Sequence, residues 1–135
     1  MKGFRGYIFS RPFFGERVPQ RVQNLVLRDY CSNKKLHYLL SSVEYRMQDS
    51  YLILNSLLSE LDDIEGIVFY SLLQLPINDA KRKDFFIKIL KSKKSVHFAL
   101  EGLVVKNNRG HLRVENILKV KKEIEFCYNP AKVEL

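Results

Sequence analysis

Arg5-Gly6-Tyr7-Ile8-Phe9-Ser10-Arg11-Pro12, running on through Gly15, Arg17, Pro19 and Gln20 to Gln23-Asn24, is the stretch from which the fold is read. The apolar and aromatic run from Phe4 stops abruptly at Ser10, as a central strand does at its end. Pro12, Gly15 and Pro19 then interrupt regular structure, which predicts an exposed loop over residues 11–18. Pro19 suits the first turn of a helix, where a missing N–H costs little. Val22, Leu25, Val26 and Tyr30 follow at helical spacing. Ser32-Asn33-Lys34-Lys35 closes that helix with cations at the negative end of its dipole.

The alternation continues along the chain. Leu36 to Val43 is strand-like and ends in Glu44-Tyr45-Arg46, and Asp49 or Ser50 is placed to cap a second helix. Tyr51, Leu54, Leu57, Leu58 and Leu61 form its apolar stripe. Gly66-Ile67-Val68-Phe69-Tyr70, uninterrupted, β-branched and aromatic, is the clearest strand. It ends at Ser71, and Gln74-Leu75-Pro76-Ile77 leads to a third helix capped by Asn78, with Phe85, Phe86, Ile89 and Leu90 on its buried side. Ser95 to Leu100 reads as a fourth strand ending at Glu101-Gly102. Beyond Asn107-Asn108-Arg109-Gly110, the residues Leu112, Val114, Ile117, Leu118 and Val120 fit either a helix or a strand; a helix over about 111–124 is favoured. Strands alternating with helices at this spacing form right-handed βαβ units. The expected architecture is one three-layer α/β domain over 1–127, with a mainly parallel sheet of four or five strands and a tail over 128–135 containing Asn129-Pro130.

A chain of 135 residues with 46% hydrophobic and 28% charged residues fits a globular domain and argues against wholesale disorder. No apolar run approaches the roughly 20 residues that cross a bilayer. The opening Met1-Lys2-Gly3-Phe4-Arg5 lacks the long apolar core of a secretory signal. Cys31 and Cys127 are too few for a disulfide scaffold and lack metal-ligand spacing, which suits a cytoplasmic protein with reduced thiols. The net charge of +8 comes largely from Lys34-Lys35, Lys81-Arg82-Lys83, Lys91 through Lys94, and Lys119-Lys121-Lys122. Such a surface can serve DNA, acidic headgroups or phosphorylated small molecules, or it can serve solubility alone.

Several chemistries are excluded by missing motifs. Gly3, Gly6 and Gly15 are too sparse for a phosphate-cradling loop, and there is no C-x-x-C, no histidine pair at ligand spacing and no nucleophile elbow. No metal site is expected, and the sequence leaves any cofactor unknown. His37 at a strand start, His97 within a strand and His111 in a turn read as structural or exposed. What remains is a ring of strand ends: Ser10 and Arg11, Glu44 and Tyr45, Ser71 and Gln74, and Glu101. In open α/β sheets ligands bind outside the carboxyl ends of the strands, so these residues share one candidate rim. Ser10, Glu44 and Glu101 are the candidate catalytic groups. Arg11 and Arg17 are placed to grip an anion, with Gln20, Tyr45 and Gln74 as further substrate contacts. Each also has a plain structural role: Ser10 closing its strand, Arg11 pairing with Glu16, Tyr45 packing on the sheet edge.

Two resemblances attach to the opening stretch. Gly6-Tyr7-Ile8-Phe9-Ser10-Arg11-Pro12-Phe13, then Arg17-Val18-Pro19-Gln20, Gln23-Asn24-Leu25-Val26 and Arg28-Asp29-Tyr30-Cys31, resemble the N-terminal signature of the sporadic carbohydrate cluster family. The likeness continues through Glu44-Tyr45 and Leu100-Glu101-Gly102. That family of short bacterial proteins is encoded among surface-polysaccharide and lipopolysaccharide genes. The resemblance implies a role in surface-glycan biosynthesis, with an anionic sugar such as a sugar phosphate or nucleotide sugar as ligand. It also admits a non-catalytic partner of a glycan-biosynthesis enzyme, docking through Phe13-Phe14 or the C-terminal segment.

The second resemblance is to the catalytic domain of serine resolvases, in the placement of Tyr7, Ser10 and Gln20 or Gln23 and in the strand–helix order over about 100 residues. It implies a resolvase-like fold and a possible homodimer. The pattern departs from that family at the cations. The serine comes one residue early, Ile8 or Phe9 stands where an arginine is expected, and Gln74-Leu75-Pro76-Ile77 lacks the arginines of the corresponding loop. Phosphodiester cleavage needs such cations on the developing charge. The expectation is therefore carbohydrate biosynthesis, with nucleic acid as the lesser alternative through a degenerate resolvase-like domain.

Overall fold

β1 (Phe4–Phe9) lies between β2 (Tyr38–Glu44) and β3 (Gly66–Phe69), and the sheet continues through β4 (Ser95–Phe98) to β5 (Leu103–Val105) in the order β2-β1-β3-β4-β5. The first four strands are parallel and β5 is antiparallel to β4. The helices are α1 (Gln20–Asn33), α2 (Leu52–Leu58), α3 (Asp79–Lys91) and α4 (Asn108–Tyr128), with 3₁₀ turns at Leu61–Asp63 and Leu72–Gln74. This computed structural model describes residues 2–12, 17–44 and 50–128, with side chains as far as Lys121. Residues 129–135 of the proposed tail, Phe13-Phe14, Glu16, Tyr45 and Asp49 lie outside the described residues, as does the Cys127 side chain, while Tyr128, the expected first tail residue, ends α4.

The expected α/β domain with a mainly parallel sheet of four or five strands is what forms, and the sheet has five. Tyr7, Phe69 and Phe98 turn to the face covered by α2 and α3, where Phe69 meets the Phe85 ring at 5.8 Å. Ile8, Val68 and His97 turn to the other face, where α1 contributes Leu27, Tyr30 and Cys31 to the core. Each fully buried large side chain contributes about 2–3 kcal/mol of hydrophobic stabilisation. Close strand approach is built in at Gly66, where a Cβ would overlap the Ser95 carbonyl and press on the Phe4 ring.

Several local expectations change. α1 buries Gln23, Leu27, Tyr30 and Cys31, leaving Val22 and Leu25 exposed. Its hydrophobic side is thus rotated from the spacing of Val22, Leu25, Val26 and Tyr30, because Gln23 is drawn inward by hydrogen bonds. Pro19 is the N-cap, one residue before the first turn, with ψ 144°. β4 stops at Phe98, since residues 99–102 form a tight turn through Gly102 at φ +67° into the short β5. The last helix forms as favoured but runs over 108–128, which places His111 on α4 rather than in a turn. Asn78 caps α3 as expected, accepting from the Lys81 N–H at 3.0 Å.

Arg82 fastens α4 to α3. Its guanidinium makes a paired contact with Glu115, Nε to Oε2 and Nη2 to Oε1 at 2.7 Å each, and also reaches Asp79 and the Pro76 and Ile77 carbonyls. The Phe86 and His111 rings stack beside this pair at 4.5 Å.

Candidate functional site

The carboxyl ends of β1 to β4 bring Ser10, Glu44, Ser71 and Glu101 to one rim, as the parallel topology requires. The β1–β3 pairing ends at Tyr7 and Phe69, so the backbone of Phe9 extends past its neighbour strand. Gln23 of α1 fills that place. Its Nε2 donates to the Phe9 and Val18 carbonyls at 2.9 Å each, and its Oε1 accepts from the Phe9 N–H at 3.0 Å. Gln74 does the same for β3, accepting from the Tyr70 and Ser71 N–H groups, and its Nε2 donates to Gln23 Oε1 at 2.8 Å. Both amides are fully buried. Together they continue the sheet past its last backbone pairs, satisfying groups whose burial without partners would be costly.

The two glutamates hold helical turns. Glu44 is 1% exposed and accepts from Tyr7 Oη at 2.8 Å, from the Ile53 and Leu54 N–H groups at 3.1 Å each, and from Ser50 Oγ at 3.4 Å. It therefore caps α2 from the neighbouring strand. This is the task the sequence assigned to Asp49 or Ser50; the N-cap position itself, Tyr51, contributes no side-chain cap. A carboxylate is favoured there by the positive end of the helix. Burial first, and then the Glu44 charge, push the Tyr7 phenol far above its usual range, so it stays a donor. Glu101 accepts from Ser71 Oγ at 2.8 Å and from the Leu72 N–H at 3.1 Å, which fixes the 3₁₀ turn after β3.

Ser10 is partly exposed, and its hydroxyl donates to the Glu44 carbonyl at 2.7 Å. A carbonyl cannot take up the proton, so this bond orients the hydroxyl without activating it. Arg11 was expected on an exposed loop, but it is 9% exposed because its guanidinium lies over the Phe9 ring at 4.1 Å and donates to the Ser50 carbonyl at 2.9 Å. Arg17 and Gln20 are exposed at the start of α1, and Tyr45 lies outside the described residues. The rim thus collects Ser10, Arg11, Glu44, Gln74 and Glu101, and it ties most of them to the backbone. Gln23 and Tyr7 join this network without having been assigned to it from the sequence. The signal for Gln23 was a polar residue in helical register with Leu27, Tyr30 and Cys31. Among the described residues, no group of three or more His, Cys, Asp or Glu side chains is arranged to hold a metal.

Two solved structures resemble the whole arrangement. The catalytic domain of TP901-1 integrase matches over 93% of this chain and 99% of its own, with a TM-score of 0.60 and 12% identity. A resolvase family site-specific recombinase from Streptococcus pneumoniae matches over 96% of this chain and 99% of its own, with a TM-score of 0.64 and 10% identity. They share this chain's fold. No protein-family model and no curated protein matches the sequence. The resolvase-like architecture read from the opening stretch is therefore upheld, whereas the sporadic carbohydrate cluster likeness finds no support. The expected role in surface-carbohydrate biosynthesis is overturned with it, because these two structures of the same fold are an integrase catalytic domain and a site-specific recombinase. Among the described residues no helix is long and apolar enough to cross a membrane.

Proposed function

We propose that this chain is a nucleic-acid-binding domain built on the resolvase-type fold, with its strand-end rim serving as a structural brace. The observation that carries the reading is the state of its cations on that fold. The net charge is +8, and among the described residues the ion pairs involve only Arg82, Lys88 and His111 on the cationic side. Arg17, Arg21, Arg28, Lys35, Arg109 and Arg113 are exposed and join none of those pairs. Unpaired surface cations in this number raise the local concentration of phosphate anions and release counterions when a polyanion binds.

Strand cleavage is not part of the proposal. Among the described residues Ser10 faces a carbonyl and not a base, and the Arg11 guanidinium lies folded against Phe9. Among the described residues, a transition state with phosphorane charge would lack the preorganised donors that make such a site work. The test is a mobility-shift assay on a duplex of about 30 base pairs at low salt, run beside a supercoiled-plasmid nicking assay. Binding without nicking is expected. No shift at low salt overturns the binding function, and protein-dependent nicking overturns the assignment of the rim as a brace.

A further inference from the structure

The end of the sheet opposite the rim carries an arrangement that the fold does not require. α1 and α3 finish in the same way. After α1, the Leu36 N–H reaches back to the Cys31 carbonyl at 2.8 Å, and after α3 the Lys94 N–H reaches the Ile89 carbonyl at 3.1 Å. Each closure forces the residue before it into the left-handed region: Lys35 at φ 58° and Lys93 at φ 59°. Glycine, and next asparagine, meets this requirement with least strain. Here both turns use lysine. A cation near a helix C-terminus does complement the dipole, but that benefit is also available one residue earlier, where no left-handed backbone is needed.

The two strained lysines share a cleft. Lys35, His37, Lys93 and Lys94, with Phe4 at the base, line a space of about 520 Å³ in which Glu65 is the one carboxylate among the lining residues. None of these lysines takes part in an ion pair among the described residues. Lys34 and Lys106 add to the same positive field. Inside the sheet it reaches His97, which burial first, and then Lys106 and Lys34, hold down at about 4.

We infer that this cleft at the amino ends of the strands, with Lys35, Lys93 and Lys94, is where the phosphate backbone of a nucleic acid is gripped. The inference rests on the nucleic-acid-binding reading and places its contact surface on the side away from the strand-end rim. Backbone strain held at paired positions is explained when the strained side chains have a ligand to meet. Phosphates take lysine as a compact point charge and need no fixed fork geometry, which suits side chains projecting from turns.

The experiment compares duplex-DNA affinity across a salt series for the wild type, for Lys35→Gly with Lys93→Gly, and for Lys119→Gln with Lys121→Gln, two exposed lysines of α4. The last pair removes the same charge from α4. Chemical denaturation of each protein runs alongside. The glycine pair is expected to weaken binding about tenfold or more at low salt and to lower the salt slope by about 2. Its denaturation midpoint should hold or rise, because glycine relieves the left-handed turns. Lys35→Asn with Lys93→Asn should lose affinity in the same way. Wild-type binding that the glycine pair leaves unchanged, or that the α4 pair weakens equally, overturns the placement and leaves the binding function standing. A wild type that does not bind at low salt overturns both.

Discussion

Glu44 gathers donors from Tyr7, Ser50, Ile53 and Leu54 onto one carboxylate at the end of β2. Replacing it with glutamine keeps the size, removes the charge and leaves at least one of those N–H groups facing an amide. Glu44→Gln should therefore cost about 1–3 kcal/mol in urea denaturation; a cost near zero would mean that the carboxylate is not the cap of α2. His97 makes a second prediction at this scale. It shares a hydrogen bond with Tyr30 Oη at 2.7 Å, meets the Phe4 ring edge to face, and titrates at about 4 in the folded state. The unfolded residue takes up its proton near 6.5. Between those values the unfolded chain binds more protons, so the stability contribution is complete above about 6.5 and is lost as pH falls toward 4. The loss is about 3 kcal/mol at most, and His97→Gln should flatten that part of the stability–pH curve. An unchanged curve in the variant would remove His97 as its source.

The residues of the rim were legible in the sequence because a strand that stops at a polar residue is a local pattern. Their partners were not. A glutamate after a strand looks the same whether it meets solvent or the N-terminus of the next helix, and only the crossover brings Ile53 and Leu54 under Glu44. Arg11 likewise looked free because the chain around it is full of turn formers. The ring that covers it, Phe9, lies two positions back, and the carbonyl that holds it belongs to Ser50.

Among the elements, α1 departs furthest from its hydrophobic pattern. Gln23 is inside and Leu25 is 59% exposed, because the two backbone groups of Phe9 need a partner that no strand supplies. Hydrogen-bond satisfaction outweighed one leucine of burial. β5 was hidden for a different reason: three residues are too few to show a period, and the tight turn at Gly102 reads as the end of β4. α4 shows how a weakly amphipathic helix is kept in place. Arg82 and Glu115 supply the paired contact, so Arg82→Lys, which keeps the charge and loses the fork, should destabilise the domain by about 2 kcal/mol. Backbone amides of α4 should then exchange with deuterium faster than those of β1 and β3. Equal acceleration throughout would show that Arg82 supports the whole core and not the docking of α4.

For the whole molecule, the fold class followed from the alternation of four apolar strands with helices, and the fold is shared at 10–12% identity with the integrase domain and the resolvase family recombinase. Function was less legible because fold and chemistry separate in this architecture. In the proposed reading Ser10, Glu44 and Glu101 serve the brace, while exposed cations such as Lys35 and Lys93 lie elsewhere on the surface. A protein that binds through lysine and arginine contacts to phosphate must lose affinity steeply with salt. The direct measurement is fluorescence anisotropy of a labelled duplex, titrated with the protein between about 50 and 200 mM salt. The account predicts binding at the low end and a log–log slope of about −3 or steeper. Absence of binding at 50 mM, or an affinity indifferent to salt, would contradict it.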